Sequence, residues 1–316
     1  MNAYFETCLL PTLLAFLLDC FIGDPRSLPH PVRALGFINN QYEKVCRKFI
    51  KAELLSGFAA VCLVLASAFF TAFALLKIAA YFNGEIIMAT VLIYYCIAAR
   101  DLYDHARRIF IPLKNHNLKE ARGQLAMIVG RDTENLNEEQ ICRATIESVA
   151  ENTVDGITSP LFYALIFGPL GAVIYRAINT MDSMYAYKNE KYLYFGRTAA
   201  YVDDAANFIP ARLTGGIMCI AALICRKDFI NCWKIMRRDG QKHPSPNSAI
   251  SEAAMAGALN IRLGGPSTYK GVLSNKPTLG ENDVDIHCGH IQDSLKIMYV
   301  SCFLFPVIAV LIYTFS

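Results

Sequence analysis

Long apolar runs alternate with polar, basic stretches along the chain, and the apolar runs predict membrane-spanning helices. A helix needs roughly 20 mostly apolar residues to cross a bilayer. The runs that come nearest to this length cover residues 5–22, 54–82, 86–99 and 297–315. Pro11 and Asp19 weaken the first run, which we still predict to span. Asn83 and Gly84 separate the second run from the third, so these two are expected to form a transmembrane hairpin with a tight turn.

Two further apolar runs lie in the middle of the chain. The run 160–178 is interrupted at Gly168 and Pro169, and its two pieces are too short to span separately. A re-entrant hairpin and a kinked span both remain open for it. The polar segment before this run and the polar segment after the run 213–225 are both expected in the cytoplasm. For that to hold, either both runs span the membrane or neither does. The pattern slightly favours neither, because spanning would place Asp182 outside, away from nucleotide.

The distribution of Lys and Arg predicts the orientation of the chain. Residues 26–51 and 100–143 flank the first spans and are rich in basic side chains. The positive-inside rule places both segments in the cytoplasm and the N-terminus outside. The polar segment 226–296, which has turn chemistry throughout, is expected on the same cytoplasmic side.

These patterns together predict an all-α fold. Apolar residues at helical spacing within 100–143 precede GRDTENLNEEQ, which is typical of a loop and a capped helix start. We therefore expect a multi-pass integral membrane helical bundle with cytoplasmic helical loops. The chain should form a single membrane-embedded domain over residues 1–316, located in the cell membrane.

Composition supports the membrane prediction and excludes another class of protein. Hydrophobic residues make up 54% of the chain, and the mean hydropathy of +0.31 is unlike that of an ordinary soluble protein. A formal net charge of +3, without a dense basic run, argues against a nucleic-acid partner. The 11 cysteines are odd in number and form no CxxC pair, so no disulfide framework is expected. No basic residue precedes the first apolar run, and we expect no cleaved signal peptide.

Carboxylates recur in an unusual way between residues 143 and 212. Glu147, Glu151 and Asp155 stand at four-residue steps, so on one helix they would lie on a single stripe. Like charges at this spacing repel and need a cation or an arginine between them. With the neighbouring amides they are the oxygen ligands that Mg²⁺ prefers. A solvated helix face is the simpler explanation for any one such cluster.

Recurrence of the pattern favours a shared site over solvated faces. Carboxylate and amide groups again stand three or four residues apart beside apolar runs, once near residue 180 and once near residue 205. The predicted metal ligands are Glu147, Glu151, Asp155, Asp182, Asp203 and Asp204. The predicted catalytic residues are Glu151, Asp155, Asp204 and Arg212.

Basic and amide side chains supply candidate contacts to phosphate or carboxylate groups. An arginine suits such anions because its guanidinium forms a planar fork of donors. The predicted substrate- and phosphate-binding residues are Arg131, Asn152, Asn179, Lys188, Asn207, Lys242, His243, Ser245 and Asn247. The last three belong to HPSPN, which is equally typical of a structural turn. No Walker A or GxGxxG spacing is present, and Gly264 with Gly265 is only a weak phosphate-loop candidate.

Six long motifs, in order, closely resemble one known family. They are LLDCFIGDPRSLPHPVRALG, IVGRDTENL, ESVAENTVDGITSPLFYAL, NTMDSMYAYKNEKY, FGRTAAYVDDAANFIPARLT and HPSPNSAISEAAMAGALNIRLGG. The family is that of adenosylcobinamide-phosphate synthases of cobalamin biosynthesis, labelled CbiB or CobD, and the similarity covers nearly the whole chain. One departure is visible after the DSM motif, where the family usually has Gly and this chain has Tyr185 and Ala186.

The resemblance implies an integral membrane ligase with its active site facing the cytoplasm. Such an enzyme would join a carboxyl group of adenosylcobyric acid to the amine of an aminopropanol phosphate or ethanolamine phosphate, using ATP and Mg²⁺. The lipid bilayer and other membrane-associated corrinoid enzymes are the further partners that it implies. An AmpE-like membrane signalling protein or a cation transporter sharing the fold is the alternative, because polar groups inside a membrane bundle also serve transport.

The predicted topology can be tested by cysteine labelling. An Asn117→Cys variant should react with a membrane-impermeant thiol reagent only after cells are permeabilised, because residue 117 is expected in the cytoplasm. The parent protein in the same cells provides the background from its own cysteines. Strong labelling of the variant in intact cells would contradict the topology.

Overall fold

The computed structural model describes residues 4–24, 31–186, 189–243, 245–281 and 284–315. Within those ranges the chain forms twelve α-helices, two π-helical turns and one β-hairpin. In chain order the helices are α1 (Leu10–Ile22), α2 (Pro31–Phe49), α3 (Glu53–Tyr81), α4 (Glu85–Tyr94), α5 (Ala99–Lys114), α6 (Leu118–Leu125), α7 (Glu138–Thr153), α8 (Ser159–Tyr185), α9 (Arg197–Ile224), α10 (Phe229–Asp239), α11 (Ser248–Leu259) and α12 (Gly289–Phe315). The π-helical turns are Phe5–Leu9 and Val154–Thr158, and the strands are β1 (Leu263–Tyr269) and β2 (Val272–Leu279).

Six helical segments in the described ranges are long and apolar enough to cross a membrane. They are Phe5–Ile22, Glu53–Tyr81, Glu85–Lys114, Glu138–Tyr185, Arg197–Ile224 and Gly289–Phe315. The prediction of an all-α, multi-pass membrane protein is therefore confirmed. The third predicted span continues beyond residue 99, since α5 follows α4 after a short break.

The chain doubles back at Gly168, which agrees with the re-entrant hairpin that the sequence left open for residues 160–178. Gly168 takes a non-helical φ of 66°, a conformation that glycine adopts without steric cost, so α8 consists of two helical stretches and Pro169 starts the second. The rings of Tyr163 and Tyr175 stack at 5.2 Å, and the Tyr175 hydroxyl donates to the Asp155 carbonyl oxygen at 3.3 Å. Residues 12 apart in a straight helix would be about 18 Å apart, so the two stretches run side by side. The run 213–225 belongs to the 28-residue α9, which is long and apolar enough to span.

Contacts divide the chain into two compact units, which we describe separately. The first unit comprises Met1–Ala98, Asp155–Asn207 and Ala309–Ser316. The second comprises Ala99–Val154 and Phe208–Ile308. The chain leaves the second unit for the first within the π-helical turn between α7 and α8, and it returns within α9.

The core of the first unit forms where α3 packs on α2 and α8. The buried residues at four-residue steps on α3 are Ala60, Val64, Ala68 and Ala72. Small side chains at this spacing let neighbouring helices approach closely. At the other side of this core, the fully buried ring of Tyr185 packs edge-on against Phe195, and its hydroxyl donates to the carbonyl oxygen of Asn39 at 2.6 Å.

The second unit contains the antiparallel hairpin of β1 and β2, which the sequence analysis assigned only to turns. Tyr269 pairs with Val272, so the loop has two residues, Lys270 and Gly271, both with positive φ. That geometry matches the right-handed twist of the strands. Asp132 holds the loop, since its carboxylate accepts from the backbone N–H groups of Lys270 at 3.0 Å and Gly271 at 2.8 Å.

The predicted helix start after GRDTENL is confirmed. Asn137 caps α7 by accepting from the backbone N–H of Gln140 at 2.9 Å, and the Gln140 side chain accepts from the Asn137 backbone N–H at 2.9 Å. This reciprocal arrangement satisfies two backbone donors at the helix start. The cap therefore fixes the start of α7, the helix that carries part of the candidate site.

A close approach at Gly57 generates a stability prediction. A Cβ atom there would lie 1.9 Å from the backbone carbonyl oxygen of Phe195, so Gly57→Ala should force α3 away from that segment. We expect a destabilisation of about 1–3 kcal/mol, seen as a lower melting temperature in detergent. Gly216→Ala is the matched control in another candidate span, because a Cβ there meets nothing within 4 Å. Equal melting temperatures for the two variants would contradict the packing.

Candidate functional site

A buried ionic cluster lies in the second unit, around the acidic face of α7. The Glu147 carboxylate accepts from the Arg131 guanidinium at 2.6 Å through one oxygen and from the backbone N–H of Gly264 at 2.7 Å through the other. Both charged side chains are at most 10% exposed. Glu147 therefore ties the loop before α7 and the start of β1 to the same helix. Both of its oxygens already have protein donors, which leaves it poorly placed as a metal ligand.

Two residues that sequence reasoning missed complete this cluster. Glu252 on α11 is 1% exposed and lies beside Glu147 and Glu151, and the half-buried Lys276 on β2 faces the same carboxylates. We call Arg131, Glu147, Glu151, Glu252 and Lys276 the glutamate cluster. The available signal for Glu252 was a lone acid in the small apolar run SAISEAAMAGAL, which provides no solvated face for it.

The electrostatics of the glutamate cluster follow from burial and crowding. Burial raises the pKa of Glu252 well above its ordinary value, and the neighbouring carboxylates of Glu151 and Glu147 raise it further. Burial by itself would lower the pKa of Lys276 and of Arg131, but the adjacent carboxylates outweigh it and raise both pKa values. The cations therefore stay charged, and the cluster holds its acids close together despite their repulsion.

An aspartate and asparagine cluster lies in the first unit, on α8 and α9. The Asn207 amide nitrogen donates to Asp203 Oδ2 at 3.0 Å, while Asn207 Oδ1 accepts from the hydroxyls of Ser159 at 2.7 Å and Tyr175 at 2.9 Å. The two hydroxyl donors set the orientation of the amide, so its nitrogen must face the carboxylate.

The remaining members of this cluster surround Asp203. Asp182 and Asp204 lie close enough to act on it as like charges, and the Asn179 amide is also beside it. We call Asn179, Asp182, Asp203, Asp204 and Asn207 the aspartate cluster. Asp203 is only 8% exposed, and its Oδ1 has no hydrogen-bond partner. The structure thus brings together five of the residues that the sequence analysis selected.

The predicted stripe of Glu147, Glu151 and Asp155 is wrong at its last member. Asp155 belongs to the π-helical turn Val154–Thr158, whose hydrogen bonds span one more residue than those of an α-helix, so the four-residue spacing no longer keeps it on the α7 face. It lies in the first unit, where the Tyr175 hydroxyl donates to its backbone carbonyl oxygen at 3.3 Å. Tyr175 thereby links Asp155 to Asn207 of the aspartate cluster.

The aspartate cluster fits Mg²⁺ by the chemistry of its donors. Carboxylate and amide oxygens are hard ligands, and the unpartnered, buried Oδ1 of Asp203 leaves one such oxygen without a donor. No three His, Cys, Asp or Glu side chains in the described part of the chain are arranged to hold a metal ion by themselves. Mg²⁺ is usually held by one or two carboxylates together with water and substrate phosphates, which suits this arrangement. The convergence of all six predicted ligands on one site stays a prediction.

Arg212 lies beside the HPSPN turn in the second unit. Its guanidinium lies over the Phe208 ring at 3.5 Å, donates to the Phe208 carbonyl oxygen at 2.6 Å and reaches Asn247 Oδ1 at 3.4 Å. Within the turn, Ser245 N donates to His243 Nδ1 at 3.1 Å, and Asn247 N donates to Ser245 Oγ at 3.4 Å. The structure therefore brings these four predicted residues together.

Three other predicted substrate-binding residues have a different placement. Lys242 forms an ion pair with the fully buried Asp239 at 2.6 Å, and the Asn152 amide donates to the Ser148 carbonyl oxygen of its own helix at 2.9 Å. Arg238 and Lys242 hold the pKa of Asp239 below its ordinary value although burial opposes this. Both predicted residues thus already have protein partners. Lys188 lies outside the described residues, as does the whole segment 25–30.

Comparisons with known proteins find one family. A family model described as CobD/Cbib protein matches residues 12–298. The cobalamin biosynthesis protein CobD of Leptospira interrogans serovar Lai is 44% identical over 304 residues, which cover 95% of this chain and 96% of that protein. The CobD proteins of Clostridium tetani and Geobacter metallireducens are 42% and 41% identical, and each alignment covers at least 93% of both chains. No solved structure matches the chain.

The buried pair of Arg131 and Glu147 generates a stability prediction. Arg131→Met leaves an uncompensated carboxylate in a buried site, and we expect a loss of about 3–5 kcal/mol. The double variant Arg131→Met with Glu147→Gln should recover most of that loss, because the Gln side-chain oxygen still accepts from Gly264 N. The measurement is the denaturation midpoint of purified protein in detergent.

An exposed ion pair provides the control for this experiment. Arg100 and Asp104 are 3.3 Å apart and 40% and 34% exposed, so Arg100→Met should change stability by no more than about 1 kcal/mol. A double variant that is no more stable than Arg131→Met alone would contradict the assigned pairing.

Proposed function

Because this chain belongs to the CobD/CbiB family of cobalamin biosynthesis, we propose that it is an adenosylcobinamide-phosphate synthase. The proposed reaction joins a carboxyl group of adenosylcobyric acid to the amine of an aminopropanol phosphate or ethanolamine phosphate. The observation that carries the proposal is the family match over residues 12–298. Two buried acidic clusters next to apolar helices support it, because such groups in a membrane bundle are costly and are usually functional.

A carboxylate at neutral pH is a poor acyl donor, so the proposed reaction begins with activation by ATP. A carboxylate oxygen attacks the γ-phosphorus, the bond from that phosphorus to the bridging oxygen breaks, and ADP leaves. The amine nitrogen then attacks the acyl carbon, inorganic phosphate leaves, and a base takes the proton from nitrogen. Each step transfers groups between substrates, and the protein has to position them and accept one proton.

The aspartate cluster is the proposed site for the phosphates of ATP with Mg²⁺. The ion, when bound, would screen the negative charge that develops on the transferred phosphoryl group. Asp182, Asp203 and Asp204 would hold it, and the unpartnered Oδ1 of Asp203 is the oxygen best placed to bind. Asn207 keeps the other Asp203 oxygen occupied and so aims the carboxylate.

Arg212 and the turn around Asn247 are the proposed contacts to a substrate anion in the second unit. The guanidinium is held by the Phe208 ring and carbonyl oxygen, which fixes the direction of its remaining donors. A fixed fork suits a phosphate or carboxylate better than a flexible ammonium does. His243 and Ser245 shape the turn that carries Asn247.

We place the protein in the cell membrane with its polar chemistry toward the cytoplasm. Residues 189–195 pack on α2, where Lys191 pairs with Glu43 at 2.9 Å and the Arg47 guanidinium donates to the Lys191 carbonyl oxygen at 2.7 Å. The positive-inside rule puts α2 in the cytoplasm, where ATP is available. These contacts support a cytoplasmic position for the end of α8 that carries Asp182.

The proposal can be tested by following amide product formation. Membranes with equal amounts of each variant receive adenosylcobyric acid, ATP, Mg²⁺ and ethanolamine phosphate. Asp203→Asn and Asp204→Asn keep the side-chain size but remove a charged oxygen ligand. We expect each to make product at least about ten-fold more slowly at limiting Mg²⁺, with partial recovery at high Mg²⁺.

Asp285→Asn is the control, since Asp285 is exposed and lies in neither cluster. Absence of ATP-dependent product from the parent protein would refute the proposed reaction. Parent-like rates for both cluster variants at limiting Mg²⁺ would show that these aspartates do not hold the cation.

A further inference from the structure

Two buried polar atoms, one on an acid and one on a base, lack hydrogen-bond partners beside α7 in the second unit. They are Oε1 of Glu252 and Nε of Arg143. We propose that the glutamate cluster and Arg143 form a subsite for a small dipolar ligand, whose ammonium group binds Glu252 and whose phosphate group binds Arg143. The inference rests on the proposed function in one respect: there, this ligand is the amino-alcohol phosphate.

The ammonium end follows from the charge balance of the glutamate cluster. Arg131 and Glu147 neutralise each other across 2.6 Å. Glu151 and Glu252 then face one cation, Lys276, and with no second cation for them in the described part of the chain, burial raises the pKa of Glu252, so its carboxyl group gives up its proton when an ammonium binds beside it. A buried carboxylate needs a paired cation and hydrogen-bond donors. A primary ammonium supplies one positive charge and three donors in a compact volume, and it would satisfy Glu252 Oε1.

The anion end follows from Arg143 and the start of β1. Arg143 precedes Glu147 by one helical turn, and its guanidinium lies beside Gly265, where an added Cβ would come 3.8 Å from Nη1. A guanidinium with a buried, unpartnered Nε can accept an oxygen ligand without first breaking a protein contact. The lack of a side chain at Gly265 leaves the space next to it open.

The spacing of the two ends limits the length of the ligand. Arg143 and Glu147 are four residues apart on α7, which corresponds to about 6 Å along the helix axis. Glu252 lies beside Glu147. A molecule with two or three carbons between its ammonium and phosphate groups matches this short distance, whereas a nucleotide would not. The subsite therefore selects for both charges and for a short linker.

The test uses three small probes that differ only in their charged groups. They are 2-aminoethyl phosphate, ethyl phosphate and ethanolamine, each titrated into the purified full-length protein in detergent. We expect 2-aminoethyl phosphate to bind the parent protein at least about ten-fold more tightly than either partial probe, because only it satisfies both unpartnered atoms. Calorimetry or the shift in melting temperature gives the dissociation constants without any catalytic turnover.

Two variants separate the two ends of the subsite. Glu252→Gln should abolish the preference for 2-aminoethyl phosphate over ethyl phosphate while leaving ethyl phosphate binding unchanged. Arg143→Gln should weaken both phosphates about ten-fold or more. Glu139→Gln is the matched control, since Glu139 is exposed on the same helix. If the Gln variant at 252 does not accumulate, Glu252→Asp, which withdraws the carboxylate by one methylene, should show the same loss of preference.

Several outcomes would overturn the inference. A retained preference for 2-aminoethyl phosphate in Glu252→Gln would exclude the ammonium contact. Stabilisation of the parent protein by Mg²⁺ alone that is lost in Glu252→Gln would identify a metal site instead. Binding and turnover distinguish this inference from the proposed function: amide synthesis without the predicted binding pattern refutes only the subsite, whereas the binding pattern without amide synthesis refutes only the reaction.

Discussion

The pairing of Glu147 is the interaction on which the second unit most depends. Its carboxylate accepts from Arg131 and from the backbone of Gly264, so one side chain joins a helix, a loop and a strand. A charge buried without such partners would be strongly destabilising. The hairpin of β1 and β2 is held at its other end by Asp132. Acidic side chains from α7 and the preceding loop thus position the strands that carry Gly265 and Lys276.

The first unit also buries a carboxylate, but it stabilises that group with neutral hydrogen-bond donors. Its buried carboxylate, Asp203, is held through the Asn207 amide, whose orientation is imposed by the hydroxyls of Ser159 and Tyr175. This chain of hydrogen bonds satisfies one oxygen of Asp203 and leaves the other without a donor. A carboxylate oxygen buried without a donor has a place for a cation, and Glu252 Oε1 in the glutamate cluster is unpartnered in the same way.

Much of the architecture could be predicted because its signals are local. A run of apolar residues defines a spanning helix by its length, and Asn137 with Gln140 defines the start of α7 by their spacing. The aspartate cluster could be predicted because its members recur beside apolar runs. Other features depended on backbone details that side-chain patterns do not reveal. Gly168 lets the chain double back within α8, and the π-helical turn removes Asp155 from the α7 face.

The family, the all-α membrane fold and most of the acidic residues could be predicted from the chain alone, because length, hydropathy and motif spacing are properties of neighbouring positions. Which charges meet depends on tertiary contacts. Glu252 and Lys276 are far from Glu147 in the chain, and neither stands in a motif that identifies its partner. Lys242 was predicted to bind phosphate, but in the structure it forms an ion pair with Asp239. Electrostatic interaction depends on distance through space and on burial, and neither can be read from spacing along the chain.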